Sequence, residues 1–479
     1  MIRNDTISSK GAAGFDLDRY NTDAGRKVLL KGGTILSMDP AIGNFAEGDI
    51  LIEGDRIAAI GATLEATAPV IDASRMIVIP GFCDPHIHSW QGSLPRIVGN
   101  QLGDNLGIAI GPDHPRALQS YTQVMHHTFS HLYRPEDTYI GTLMSLLAAL
   151  NGGITTVVDN AHNTRSPEHS DASIQALFDA GVRGVHAYGR ARVNVDVSRF
   201  PEDVYRLRKQ YFSSDDGLHT LRLWVRGDDE QDIFDRVLKV RKDLDCWISI
   251  DTGLGSKPVV ELYRQGLFDG RESINHGNYM SLDQRKAVAD HGGTVNVCPR
   301  IESQFRYGDI PYQDWRDVGL KPAMSNDDPA TYPINMFQEM RTLYSHQRAE
   351  LFREQSAGNG RLDDLATNAE MLEVATVRGA ACCGLSDRVG SLTPGKQADI
   401  VLIDTDNVHL FPKHNAFCTV VQGGDPGFVD TVFVAGRAVK WQGKLVGVDF
   451  ARVKQMLEAS RDYLFKAANW PKPIIDFGD

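Results

Sequence analysis

RMIVIPGFCDPHIHS, Arg75 to Ser89, decides how the rest of the chain is read. Met76 to Phe82 is an apolar run of the kind that forms a strand buried on both faces. Pro80-Gly81 turns the chain, and His86 and His88 follow. Side chains two apart on a strand point the same way, so both imidazoles leave its carboxyl end together. Two neutral imidazoles converging on one point make half of a divalent-metal site. For an isolated HxH, a hydrogen-bonded pair at a strand end is the simpler alternative. Asp84 adds a carboxylate placed to orient an imidazole from behind.

Working outward, strand-like runs alternate with helix-like ones, the signature of a parallel sheet. GITTVVDN (153–160), VRGVHAYGR (182–190), LRLWVRG (221–227), CWISIDTG (246–253), ESINHGN (272–278), GTVNVCPR (293–300) and LKPAMSND (320–327) bring the strand count to eight. Ser281 to Gln284 has the pattern of a capping box before the seventh strand. Leu365 to Leu385 reads as one helix of small residues. Short strands with tight turns lie on both sides of this region, over residues 27–79 and 389–448, with turn chemistry at Gly32-Gly33 and Gly54 to Arg56. Residues 1–26 read as a loosely held polar arm, and 449–479 as a C-terminal helix and tail.

The frame from Pro80 to His88 resembles the PGFxDxHxH signature of the amidohydrolase superfamily, and the resemblance runs from about Val28 to Gly447. It is similar to the branch that includes cytosine and guanine deaminases and the triazine hydrolases. The resemblance implies an α/β fold: a (β/α)8 TIM barrel over 80–388 with a small composite β-sandwich from both ends of the chain. It also implies one divalent metal ion, zinc or iron. The ligands would be His86, His88, a histidine after strand five and an aspartate after strand eight. Asp327 in MSNDD aligns with that aspartate, and Asp328 beside it is the alternative. His276 in INHGNYMSLD aligns with the histidine that contacts substrate or bound water.

Strand five departs from the family pattern. Where HxxE is expected, ISIDTGLGS places Asp251 at the histidine and Leu254 at the glutamate. An aspartate oxygen can ligate zinc or iron, so Asp251 is either a ligand or a pocket carboxylate. Leu254 cannot carry a proton; Asp159, Glu302 and Asp328 are the candidates to replace the glutamate. Some triazine hydrolases in the resembled branch lack it as well. No lysine ends strand four, which points to one metal ion and not two.

Barrel enzymes keep their chemistry at the carboxyl ends of the strands. Trp90, Gln91 and Arg96 follow the HxH where the family lines its substrate pocket. Arg190, Arg226 and Arg300 end three strands, and arginines aimed at one mouth suit a carboxylate or another planar anion. The alternative is that they pair with Asp159, Asp228 and Glu302 as structural ion pairs. His126, His127 and His131 fall on a segment that reads as a lid helix; His127 and His131, four apart, would share a face. Cys298 reads as a packing thiol.

The charge balance, 50 − 62 = −12, argues against nucleic acid or an anionic membrane surface as a partner. Six cysteines without a CxxC pair fit reduced thiols. The start of the chain has no apolar signal region, and no apolar run approaches the ~20 residues of a membrane span. These features fit a cytoplasmic enzyme with a small polar or acidic substrate; a homo-oligomer is expected from the resemblance alone.

Three readings compete. The first is a metal-dependent hydrolase of a C–N bond in a small polar heterocycle, with Asp327 moving the proton of a metal-activated water and His276 steadying the oxyanion. The second is another reaction on this scaffold, such as hydration, elimination, decarboxylation or dehalogenation. The third is a metal-poor, non-catalytic binding protein. Asp251 and Leu254 keep the last two open.

Overall fold

A computed structural model describes residues 15–98, 120–193, 199–253, 255–305 and 309–470. The leading strands, β1 (Lys27–Leu36), β2 (Asn44–Glu53), β3 (Arg56–Gly61), β4 (Val70–Asp72) and β5 (Met76–Pro80), belong to one mixed sheet. Gly54 turns β2 into β3 with a φ of 62°. Gly32-Gly33 is not the turn its composition suggested. Gly32 takes a φ of 76° and the β1–β2 register shifts around Gly33, a bulge inside one ten-residue strand.

The apolar run from Met76 is two strands, not one. β5 ends at Pro80, and β6 (Phe82–Ile87) starts the second sheet. β7 (Ile154–Ala161), β8 (Arg183–Tyr188), β9 (His219–Arg226), β10 (Ile248–Asp251), β11 (Glu272–Asn275), β12 (Thr294–Val297) and β13 (Ala323–Met324) follow in parallel, each beside its predecessor. An isolated parallel bridge between Ile87 and Asp327 joins the last strand to the first. The result is the parallel sheet expected from the alternation, closed into the eight-stranded barrel that the family resemblance implies.

β14 (Ile400–Asp404), β15 (Val429–Val434), β16 (Arg437–Trp441) and β17 (Lys444–Leu445) return to the first sheet. β14 pairs antiparallel with β5, so both ends of the chain form one nine-stranded sheet. Its core takes Val28, Ile50, Ile52 and Val78 from the first half and Ile400, Leu402, Phe433 and Trp441 from the second. Residues 15–26 are not loose: Tyr20 is buried and its hydroxyl donates to the Gly436 carbonyl at 2.8 Å. Arg183 of the barrel forks onto Asp399 at 2.9 and 3.0 Å, a buried link between the two units.

Among the helices, Leu282–Asp290 has the expected box, with Ser281 and Gln284 capping each other. The expected single helix after the barrel breaks at Thr376 into Asn368–Ala375 and Val377–Cys382. The second piece packs under β6, where Gly379 lets the backbones meet; a Cβ there would stand 2.6 Å from the Cys83 carbonyl oxygen. Among the described residues no helix is long and apolar enough to cross a membrane. Four of the six cysteines are buried, and none is in a disulfide.

Gly81 is where the chain changes sheets, and a Cβ there would lie 2.0 Å from Thr155 Oγ1 of β7. Gly81→Ala is expected to cost about 3 kcal/mol, the upper end of ordinary overpacking. Urea unfolding followed by tryptophan fluorescence measures it; an unchanged midpoint would show that β6 and β7 can part without cost.

Candidate metal centre

His86 and His88 stand at the carboxyl end of β6, and the bridge that closes the barrel brings Asp327 onto them. His86 Nε2 lies 3.2 Å from His88 Nε2 and 3.2 Å from Asp327 Oδ1; His88 Nε2 lies 3.4 Å from the same oxygen. Ligand atoms on a tetrahedral zinc at roughly 2.0–2.2 Å are about 3.3–3.6 Å apart. One of the three separations lies inside that span and two lie about 0.1 Å below it. The Asn160 carbonyl can only accept, so His88 Nδ1, 3.1 Å away, carries the proton. That fixes the tautomer and leaves the Nε2 lone pair facing the cluster. Burial, then the neighbouring His86, push His88 down to about 4, which keeps it neutral.

Asp251 at the end of β10 reaches the same place. One of its oxygens and the ring nitrogens of His86 and His88 lie within 4.8 Å of one another. Two histidines and two aspartates therefore offer a donor set suited to one zinc or iron ion.

His276 caps β11 with a φ of 71°, and Asp327 has a φ of 62°. Both are left-handed conformations that non-glycine residues seldom hold. The Trp315 indole N–H donates to the His276 carbonyl at 3.2 Å, and His276 Nδ1 is 3.1 Å from Glu302 Oε1. The other ring nitrogen is 3.6 Å from Asp327 Oδ2 and 4.0 Å from Asp251 Oδ1. Burial alone would lower His276; the bond to Glu302 and the charges of Asp251 and Asp327 outweigh it and hold it at about 9. Asp327 shows the converse. Burial would raise it, yet His86, His276 and His88 hold it well below the usual carboxylate range.

Asp84 does not orient an imidazole. It accepts from the Asn326 side chain at 2.9 Å, the Asn326 N–H at 3.2 Å and the His86 N–H at 3.3 Å, tying the first strand to the segment after the eighth. Burial raises it to about 6. Each of the three candidates for the missing glutamate holds other groups, and none of them lines the cavity into which the centre opens; Glu302 keeps one oxygen, Oε2, buried without a partner. Asp159 accepts from Ser89 and Ser173, Glu302 holds His276, and Asp328 accepts from Ala330 and Thr331. Leu254 lies outside the described residues.

The centre opens into a cavity of about 50 Å³ lined by His88, Asp251, His276 and Asp327 together with Trp224, Arg226 and Arg192. Of the three expected arginines only Arg226 lines it. Arg190 pairs with Asp229 at 2.9 Å and Glu230 at 2.8 Å, and Arg300 with Glu339 at 2.6 Å, so both are structural. Trp90 and Gln91 sit behind the wall: Trp90 packs on Tyr133, His126 and His162, and Gln91 donates to the Tyr121 hydroxyl at 2.6 Å. Arg96 is exposed.

His126 faces the cavity from a wide-turn helix, Thr122–Phe129. The wider π turn breaks the four-residue spacing, leaving His127 exposed and His131 half-buried on the next, tighter turn. Cys298 donates to Ser325 Oγ, 3.1 Å away, since that hydroxyl gives its own proton to Asn296. His162, Tyr121, Arg192, Trp224 and Phe305 also line the cavity and escaped the sequence reading. His162 and Arg192 stand two residues beyond strand-end positions already singled out, so a wider window would have found them. Trp224 sits inside β9, and nothing local marks it.

A model described as the Amidohydrolase family matches residues 77–439. The 5-methylthioadenosine/S-adenosylhomocysteine deaminase of Pyrococcus horikoshii is 25% identical over 456 residues, 89% of this chain and 97% of its own. That of Symbiobacterium thermophilum is 26% identical over 86% of this chain and 93% of its own. Among solved structures, a zinc-bound adenosine deaminase from Xanthomonas campestris superposes with a TM-score of 0.76 at 21% identity, covering 92% and 98% of the two chains. The zinc complex of atrazine chlorohydrolase from Arthrobacter aurescens gives 0.77 at 21%, covering 90% and 99%. At such identities the structural likeness speaks for the fold alone.

After zinc loading and gel filtration, elemental analysis is expected to find about one equivalent per chain, and less than about a tenth for His88→Ala and for Asp327→Ala. Asp251→His should keep the wild-type content. Full retention by both alanine variants would remove the ion from this cluster.

Proposed function

This chain belongs to the amidohydrolase family, and from that premise we propose that it hydrolyses a C–N bond of a small aminated heterocycle. Water adds to the ring carbon, the C–N bond breaks, and ammonia leaves. The observation that carries the reading is the convergence of His86, His88 and Asp327 Oδ1 at separations that suit a tetrahedral ion. The similar chains of Pyrococcus horikoshii and Symbiobacterium thermophilum, 5-methylthioadenosine/S-adenosylhomocysteine deaminases, support the same bond. A bound zinc or iron ion would supply Lewis acidity, lowering the pKa of water from about 15.7 to roughly 7–9.

The chain's own groups divide the remaining work. Asp327 Oδ1 faces the two imidazoles, whereas Oδ2 faces His276. The second oxygen is the one free to take a proton from the attacking water and return it to the departing nitrogen. His276 is a fixed donor: Glu302 holds one ring nitrogen, and the other aims its N–H where oxyanion charge develops. Asp251 adds a fourth donor to the cluster in the place of the family's histidine. Trp224, stacked on His162 at 5.1 Å and 29°, offers a flat wall for a ring.

A second reading is displacement of a substituent that leaves without prior ring protonation, such as a halide. One observation favours it: Asp159, Glu302 and Asp328 each hold other groups, and none of them lines the cavity.

Zinc-loaded protein should release ammonia from members of a panel of aminopyrimidines, aminopurines and aminotriazines. Dipicolinate should abolish the activity and added zinc restore it. Glu302→Gln should keep its zinc but lose about 10–100-fold in kcat/KM. Turnover of chlorotriazines without ammonia would select the second reading, and full activity after exhaustive chelation would exclude both.

A further inference from the structure

We propose that Arg226 and Arg192 form an anion subsite beside the histidine–aspartate cluster, so that the substrate is a planar heterocycle bearing a carboxylate. The inference rests on the cavity being the substrate site proposed above. Arg226 is 9% exposed and lines the cavity. Its Nε donates to Asp228 at 3.0 Å and its Nη2 to Asp229 at 3.3 Å, while its backbone N–H donates to Asp229 at 2.9 Å. The guanidinium is thereby fixed in plane and direction. Its Nη1 is buried and has no hydrogen-bond partner. A buried charged donor left unmatched carries a desolvation penalty, and a ligand oxygen drawn onto this guanidinium would relieve it.

Arg192 lines the same cavity. Its Nη1 donates to Thr122 Oγ1 at 3.3 Å, and among the described residues no carboxylate pairs with it. Asp228, Asp229 and Glu230 are taken up by Arg190 and Arg226, which leaves Arg192 as the guanidinium of this lining without a carboxylate partner among the described residues. Two guanidinium groups over one cavity suit a planar oxyanion better than a neutral carbonyl, because each hydrogen bond is then charge-assisted on both sides. The flat Trp224–His162 pair lies in the same lining and would take the ring to which the carboxylate is attached.

Calorimetric binding of pyridine-3-carboxylate and of its neutral isostere pyridine-3-carboxamide to the zinc-loaded protein tests this without any turnover. The carboxylate is expected to bind about 10–100-fold more tightly, the worth of a charged hydrogen bond. Arg192→Gln and Arg226→Gln should each remove most of that preference. Equal affinities, no binding of either probe, or a preference that survives both substitutions would overturn the subsite; the last would mean that the metal takes the carboxylate. Should Arg226→Gln fail to fold, Arg192→Gln, at a half-buried position, decides the matter. Absence of ammonia release would count against the proposed reaction and leave this comparison standing.

Discussion

Two backbone hydrogen bonds close the barrel, and the residues that make them are also the candidate ligands. The Asp327 N–H donates to the His86 carbonyl at 2.9 Å, and the His88 N–H donates to the Asp327 carbonyl at 2.8 Å. Closure of the sheet and assembly of the centre are therefore one event. Asp84 reinforces it by holding Asn326 through both its main chain and its side chain. The left-handed backbone at Asp327 costs on the order of 1–3 kcal/mol. A glycine would lie there without strain but would bring no carboxylate. The surrounding bonds hold the aspartate in place, as strained positions at functional sites require.

The cavity is built from opposed charges. Asp251 and Asp327 share its lining with Arg192 and Arg226 and with the neutral imidazoles of His126 and His162. Burial, then Arg192 and Arg226, push His126 well below its ordinary value; burial and His88 do the same to His162. Replacing the family's strand-five histidine with Asp251 has an electrostatic consequence. With Asp251 as a ligand, the donor set would carry two carboxylates against the charge of a divalent ion, beside the imidazole of His276 that Glu302, Asp251 and Asp327 hold protonated.

Much of this was legible before any coordinates. Eight strands, the split outer sheet and the capping box at Ser281 all lie in local pattern, because periodicity, turn residues and caps act over a few neighbouring positions. The errors were equally physical. Met76 to Phe82 has the same apolar pattern on either side of Gly81, so periodicity does not show that the chain changes sheets. Gly32-Gly33 has turn composition, yet a bulge uses the same left-handed backbone. His127 and His131 share a face only on a helix with ordinary pitch, and this segment winds wider.

The sequence by itself determined the HxH pair and the alternation of strands with helices, since each depends on neighbours within a few residues, and the family resemblance added the barrel and the aspartate after the last strand. Only the tertiary structure decided that Asp251 reaches His86 and His88, that Arg226 lines the cavity while Arg190 and Arg300 turn to their own carboxylates, and that Arg192, His162 and Trp224 join it. A strand fixes which way its own side chains point. Which charges meet depends on distances between strands far apart in sequence, and those distances exist only once the barrel has closed.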